Sequence, residues 1–358
     1  MAEHAYDSGS ENQASEHGGF ENKPVTEKHP LSQKRLVWIS SMIALLVAVC
    51  IISLMVGSVS FSLKEIWQGL TSTDDSLARR IVYDLRLPRI LIGLVVGMCL
   101  AVSGTILQGI MRNPLADPGI IGISSGAGLM AVMILIVFPA YSMLLPLAAF
   151  SGACITALII YALSWRGGTS PVRIILVGVA INAIIGAIMS ALMLLYSDRV
   201  QAVLPWLSGG IAGAGWHEVK MIVGYAAVAL VLAIIMTRHL RILRLGDEVA
   251  KLLGNNVERS RFMLILLSTL LAGIAVSVSG LIGFVGLVIP HIMRRVVGGD
   301  DRILLPASAL GGGLIVVFAD TVARTAFDPI ELPVGILLSF LGGPFFLYMI
   351  QKRRDANA

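Results

Sequence analysis

Ten long apolar runs divide this sequence, and they restrict its fold more than any other feature. A helix needs about 20 mainly apolar residues to cross the hydrocarbon core of a bilayer. Nine runs are of that order, at residues 36–57, 90–111, 119–138, 144–163, 174–195, 221–236, 263–280, 304–319 and 332–350. A tenth run, residues 281–293, is shorter and contains Pro290, so we expect a short or tilted span there. The pattern predicts an all-α, polytopic membrane protein with about ten transmembrane helices over residues 36–351.

The composition agrees with a membrane location. The chain is 56% hydrophobic and 14% charged, whereas a soluble domain carries about 25% charged residues. The net charge of +5 does not indicate a nucleic-acid partner, because the basic residues lie in short segments between apolar runs. Cys50, Cys99 and Cys154 each lie inside an apolar run without metal-ligand spacing, so we expect them to pack as small apolar residues and predict no metal site.

Residues 1–35 differ from the rest of the chain because they are polar. A signal peptide would contain an apolar core near its start, and this segment contains none. We interpret it as a disordered cytoplasmic N-terminal tail.

The distribution of basic residues predicts the orientation. Ten spans place both termini on one side of the membrane. With both termini cytoplasmic, 19 of the 27 Lys and Arg residues fall in inner segments, as the positive-inside rule favours. Five of the eight outer ones crowd into residues 64–89, and charge bias alone does not explain that cluster.

The longest inner loop, residues 238–261, contains a short amphipathic segment. Asp247 can cap a helix and Gly254 can end it. Val249, Leu252 and Leu253 then fall on one face. Such a helix either lies on the lipid surface or docks into a groove on a cytoplasmic partner, and the residues alone leave both alternatives open.

The chain lacks the G-x-x-x-x-G-K-[ST] sequence that cradles phosphates in ATPases, since no Gly is followed by Lys. Any ATP-driven activity therefore requires a partner subunit.

Two other patterns have weak functional meaning. Residues 122–126 fit the hydrolase motif G-x-S-x-G, and an intramembrane protease could use Ser124 or Ser125 with His291. That motif requires a strand–turn–helix, so its occurrence in an apolar helical run indicates coincidence.

Asp320, at the end of the ninth span, is expected to pair with Arg324 four residues later. An ion-coupled secondary transporter would need more buried acids than this one.

Several longer motifs follow one another in a fixed order. They are LRLPR at 85–89, SG at 103–104, Gln108, RNPLADP at 112–118, the Gly- and Ser-rich segment 122–128, LGDE at 245–248, GLIGFVGLVIPH at 280–291, AD at 319–320 and ELPVG at 331–335. This order resembles the FecCD-type permease family, which imports iron siderophores, haem and cobalamin. The resemblance covers residue 36 to the end, and the polar tail lies outside it.

The resemblance implies a type II ABC importer permease fold and a defined set of partners. Two permease chains, identical or paralogous, surround one central path. A cytoplasmic ABC ATPase dimer, which binds the ATP and Mg, lies inside, and an extracytoplasmic solute-binding protein, possibly a lipoprotein, docks outside. The chain itself is then a transport subunit without catalytic residues or cofactors.

The resemblance also assigns roles to residues. The coupling helix that enters the ATPase groove would comprise Gly246, Asp247, Glu248, Val249, Leu252, Leu253 and Gly254. The arginines that receive acidic side chains of the binding protein would be Arg86, Arg89 and Arg324. For a path with weak contacts to a bulky chelate, the candidate lining residues are Ser103, Gln108 and Ser124. Ferric siderophores are the expected cargo, with cobalamin and haem as alternatives.

Overall fold

The computed structural model describes residues 33–72, 76–327 and 330–355. The predicted tail, residues 1–35, lies outside the described residues except for its last three, which begin the first helix. Within the described ranges the chain forms helices and connecting turns, without a strand. The prediction of an all-α fold is confirmed.

The helices are numbered in chain order. They are α1 Gln33–Met55, α2 Leu63–Thr71, α3 Leu77–Ile110, α4 Ile123–Val137, α5 Leu145–Leu163, α6 Pro171–Leu195, α7 Val200–Ser208, α8 Trp216–Ile235, α9 Thr237–Arg244, α10 Asp247–Leu252, α11 Val257–Ser279, α12 Val285–Val297, α13 Asp301–Thr325 and α14 Val334–Asp355.

Every apolar run predicted to span the membrane contains a helix. In the part of the chain that the structure describes, seven helices are long and apolar enough to cross a membrane, namely α1, α3, α5, α6, α8, α11 and α13. The apolar segments of α4 and α14 are shorter. Helix α12 has 13 residues and is about 20 Å long at 1.5 Å per residue, so it is too short to cross the hydrocarbon core alone.

Two of the predicted spans begin later than their apolar runs. Helix α4 starts after Gly122, which has φ 76°, and α12 starts after Phe284, which has φ 67°. Residues 281–284 are not helical. The predicted span 281–293 is therefore shortened and shifted to 285–297, because the chain turns sharply between Gly280 (φ 64°) and Phe284.

Helix α3 lies at the centre of the bundle and packs against α8, α11, α12 and α13. It approaches α13 so closely that a Cβ on Gly97 would overlap the carbonyl of Gly312, and the reverse is also true. A Cβ on Gly104 would likewise overlap the carbonyl of Gly286 in α12. Small residues at these crossings allow the backbones to reach van der Waals contact, which is a main source of helix association in membranes.

The connecting segments meet at two opposite ends of the bundle, as the alternation of spans predicts. One end, called the predicted inner end, joins the segments 111–122, 164–170, 236–256 and 298–300 through ion pairs and hydrogen bonds. The other, the predicted outer end, joins the segments 56–89, 196–216 and 330–333. The segments that meet at each end are those that the sequence-based topology assigns to the same side of the membrane.

Candidate functional site

Helix α10 projects at the predicted inner end and carries an exposed apolar edge. Leu252 is 87% exposed and Leu253 60%, and Val249 is exposed as well. On the opposite side of α10, Ala250 is fully buried. The predicted helix therefore exists, and its leucines have no core to enter within the described chain.

The start of α10 is held in place by ion pairs. Both carboxylate oxygens of Asp247 accept hydrogen bonds from Nη2 of Arg261, at 2.8 Å each. Nη2 of Arg112 lies 3.7 Å from the same carboxylate. The prediction that Asp247 caps α10 is wrong, because Gly246 occupies the N-cap position and no side-chain cap forms. The Asp247 carboxylate instead fixes α10 to helix α11 and to the loop that follows α3.

Arg261 is almost completely buried, with 1% of its side chain exposed. Its Nη1 donates to the carbonyl and hydroxyl oxygens of Thr169, in the loop before α6. Glu258 lies one turn earlier on α11, 3.5 Å from the guanidinium, and accepts hydrogen bonds from the Thr169 backbone N–H and hydroxyl. Three segments of the chain, α10, α11 and the loop before α6, thus meet at one cation.

A second ion pair closes the predicted inner end. Arg244, the last residue of α9, lies 3.0 Å from Asp301 at the start of α13. Burial lowers the pKa of the Arg244 guanidinium, and the nearby Asp301 carboxylate opposes that effect.

At the predicted outer end, Arg89 binds two acidic side chains. Its Nε and Nη2 donate to the Asp320 carboxylate at 2.9 Å, and its Nη1 donates to Glu331 at 2.8 Å. The Arg89 side chain is 13% exposed and Asp320 5%, whereas Glu331 is 51% exposed. The predicted pairing of Asp320 with Arg324 is wrong, because Arg89 from the centre of the bundle reaches Asp320 with a better, bidentate geometry.

The other two outer arginines are buried and bind the backbone. Arg86 donates to the carbonyls of Leu54 and Val59, and Arg324 donates to the carbonyl and hydroxyl of Ser53. Their partners are the last turn of α1 and the segment after it, where helix carbonyls lack intrahelical partners. Sequence reasoning placed the three arginines at one end, and the structure does bring them to that end.

Two candidate path residues lie between helices. The Ser103 hydroxyl oxygen lies 2.7 Å from the hydroxyl oxygen of Ser268 in α11, and the Ser103 hydroxyl donates a hydrogen bond to the Ser268 carbonyl at 2.9 Å. Gln108 donates to the carbonyls of Gly286 and Leu287 and accepts from Arg294. Both side chains are buried, and their assignment to the path remains a prediction.

Ser124, the third candidate path residue, is partly exposed near the start of α4. The neighbouring Ser125 donates its hydroxyl to Asn182 of α6 and to the carbonyl of Gly122. Asn182 in turn donates to the Gly119 carbonyl at 3.0 Å. The Ser125 hydroxyl thus engages an asparagine, in a contact that joins α4 to α6, and not the His291 base that an intramembrane protease would need.

Some of these residues were missed by sequence reasoning. Arg261, Glu258 and Thr169 carry no motif, and Asn182 is one of two polar residues, with Ser190, in an apolar run. A polar side chain within a membrane span is a signal that could have singled out Asn182. Among the described residues, no group of three or more His, Cys, Asp or Glu side chains could hold a metal ion.

Comparison with known proteins gives a consistent result. The model of the FecCD transport family matches residues 45–352. The hemin transport system permease HmuU of Yersinia pestis is 42% identical over 91% of this chain and 98% of its own length. The Fe(3+)-citrate import permease YfmE of Bacillus subtilis is 38% identical over 91% of this chain and 98% of its own length. The cobalamin import permease BtuC of Halobacterium salinarum is 42% identical over 77% of this chain and 74% of its own length.

A solved structure has a similar fold. It is described as an inward-facing conformation of a metal-chelate type ABC transporter, and its superposition has a TM-score of 0.78 at 30% identity. The match covers 88% of this chain and 99% of that one.

These matches and the helix bundle define a multi-pass membrane permease. The chain belongs to the FecCD transport family, whose members are transport subunits of ABC importers and not enzymes. The type II importer fold expected from the motifs is confirmed, and the protease and ion-coupled alternatives are set aside.

Proposed function

We propose that the protein is the membrane-spanning subunit of an ATP-driven importer that carries a ferric siderophore into the cytoplasm. Residues 36–351 would form the permease domain in the cell membrane, with the tail 1–35 and both termini cytoplasmic. The relatives named for Fe(3+)-citrate, siderophore and hydroxamate import support an iron-chelate cargo.

The observation that carries the proposal is the exposed apolar edge of α10. Leu252 and Leu253 would bury their side chains in a groove of a cytoplasmic ATPase, which would bind ATP and Mg. Each leucine that leaves water contributes about 1.5–3 kcal/mol. A lipid surface would accept the same edge, but the helix begins with Asp247 and Glu248, and acidic residues are unfavourable beside an anionic leaflet.

Docking of a solute-binding protein is proposed for the predicted outer end, through Arg86, Arg89 and Arg324. Arg89 is best placed to meet a carboxylate of that protein, because its second partner, Glu331, is exposed and can be displaced. Arg86 and Arg324 would add positive potential from beneath the surface, which speeds encounter more than it raises affinity.

The path is proposed to run between this chain and a second permease chain, identical or paralogous. Ser124 is the candidate with the more accessible side chain, whereas Ser103 and Gln108 would face the path only after the helices move. Alternating access driven by ATP would supply that movement.

The cargo is tested by uptake of labelled ferric siderophores, ferric citrate, haem and cobalamin in cells with and without the gene. Loss of uptake of a ferric siderophore alone supports the proposed cargo. Loss of haem or cobalamin uptake instead would keep the importer and replace the cargo, as relatives with those names suggest. Unchanged uptake of all four, in cells lacking related permeases, would contradict the proposal.

A further inference from the structure

We propose that Arg261 is a positioning residue that transmits movement of α10 to α6. The inference rests on the proposed function, in which an ATPase grips α10. The inference concerns how movement passes from the contact between the ATPase and α10 to the spanning helices. The hydrogen bonds around Thr169 carry it.

The connection begins at Asp247, the first residue of α10. Both of its carboxylate oxygens bind Nη2 of Arg261. The guanidinium is planar and its donors are fixed relative to one another. Any displacement of α10 must therefore either carry the Arg261 side chain with it or break two charge-assisted hydrogen bonds.

The connection continues to Thr169, two residues before α6 begins at Pro171. Nη1 of Arg261 binds the Thr169 carbonyl and hydroxyl. The Thr169 backbone N–H and hydroxyl bind Glu258. Every hydrogen-bonding group of Thr169 is thus committed to the first turn and a half of α11, so this loop cannot move independently of Arg261.

Helix α6 is suited to respond to such a pull. Only 17% of an apolar 18-residue stretch of α6 is buried inside the chain, against 72% for α11 and 78% for α3. Its contacts with the bundle are with α4 and α5, partly through the hydrogen bond of Asn182 to the Gly119 carbonyl. Within this chain few packed contacts restrain α6, so its displacement relative to the well-buried α11 has a low energetic cost.

Lysine in place of Arg261 provides the first test. Arg261→Lys keeps the positive charge but cannot bind Asp247 and Thr169 at once, because it lacks the guanidinium fork. The matched control is Arg259→Lys, since Arg259 is exposed on the same turn of α11. The measurement is the number of ferric chelate molecules imported per ATP hydrolysed by the reconstituted permease–ATPase complex.

A merely structural defect would lower transport and ATP hydrolysis together. Loss of transmission, by contrast, lowers the number of chelate molecules imported per ATP and leaves the rate of ATP hydrolysis unchanged. We expect Arg261→Lys to reduce the ratio about tenfold, the effect of one charge-assisted hydrogen bond, and Arg259→Lys to leave it unchanged. An unchanged ratio in Arg261→Lys would overturn the inference.

A second pair of variants keeps the test decisive if Arg261→Lys fails to assemble. Thr169→Val removes only the hydroxyl, and Thr169→Ser retains it. We expect Thr169→Val to lower the ratio of import to ATP hydrolysis and Thr169→Ser to keep it at the value of the unaltered chain. Equal ratios in the two variants would overturn the inference. If the unaltered chain itself does not purify with an ATPase or import a chelate, the proposed function fails instead, and the two failures are thereby distinguished.

Discussion

Arg89 and Asp320 lie 231 positions apart in the sequence and form a bidentate ion pair in the structure, with Nε and Nη2 each 2.9 Å from a carboxylate oxygen. The pair joins α3 to α13 at the predicted outer end, and both side chains are largely buried. It therefore reinforces the same helix contact that Gly97 and Gly312 make further along.

Breaking this pair is expected to destabilise the fold. Asp320→Asn leaves the buried Arg89 without its main counter-charge, and removal of one partner of a buried pair costs about 3–5 kcal/mol. Glu331→Gln removes the exposed partner of the same arginine and should cost less than about 1 kcal/mol. Thermal unfolding in detergent, followed by tryptophan fluorescence, compares the two variants. Equal unfolding midpoints would contradict the assignment.

The contact of α3 with α13 provides a second prediction. Gly312→Leu forces a side chain into the Gly97 carbonyl, so we expect it to prevent assembly of the bundle and reduce the yield of folded protein. Gly224→Ala is the control, because a Cβ there meets no atom within 4 Å and Gly224 is exposed. Alanine should preserve or raise stability by up to about 1 kcal/mol, since it favours helix over glycine. Size-exclusion profiles of the two variants measure the difference.

Substitution in α10 tests the proposed ATPase contact. Leu253→Asp removes an apolar side chain and adds a charge to the exposed edge, so binding of the ATPase should weaken by at least about tenfold. Lys251→Gln changes an exposed polar residue of the same helix that is not assigned to the contact, and it should have little effect. Co-purification of the ATPase with each variant is the measurement. A Leu253→Asp chain that still retains its ATPase and transports would show that α10 is not the contact.

Glu331 provides a test of the proposed outer docking site. Because Glu331 occupies Nη1 of Arg89, Glu331→Gln should free that donor and speed association of the solute-binding protein severalfold at low salt. The control is Asp198→Asn, which removes another exposed carboxylate of the predicted outer end without touching Arg89. The measurement is the association rate of the solute-binding protein with each variant, determined by surface binding at two salt concentrations. If both variants gain equally, the effect is one of net charge and Arg89 has no special part in docking.

The apolar runs were sufficient to predict the spanning helices, because a bilayer leaves the backbone few ways to satisfy its hydrogen bonds. The starts of α4 and α12 were missed, since they depend on positive φ angles at Gly122 and Phe284, which an apolar pattern does not reveal. The short helices α2 and α7 were missed for another reason. Both lie in the segments between spans and are too short to produce an apolar run of the length that marks a span.

Local sequence was sufficient to predict the exposed helix α10, but not the contacts between distant segments. The exposed face of α10 follows from the spacing of Val249, Leu252 and Leu253 alone. The network around Arg261 joins residues up to 92 positions apart, and nothing in the local sequence marks them. The same limit explains the error at Asp320, since the nearest cation along the chain is Arg324 and the nearest in space is Arg89.

The central position of α3 has a consequence for biosynthesis. Its partners α11, α12 and α13 are translated about 150 or more residues later. At roughly 5–20 residues per second, α3 waits on the order of ten seconds or longer in the lipid bilayer before they arrive. During that interval Arg89, Ser103 and Gln108 lack the carbonyls and carboxylates that later bind them. Until the carboxyl-terminal half is made, the nascent amino-terminal half therefore holds these polar groups in apolar surroundings that penalise them.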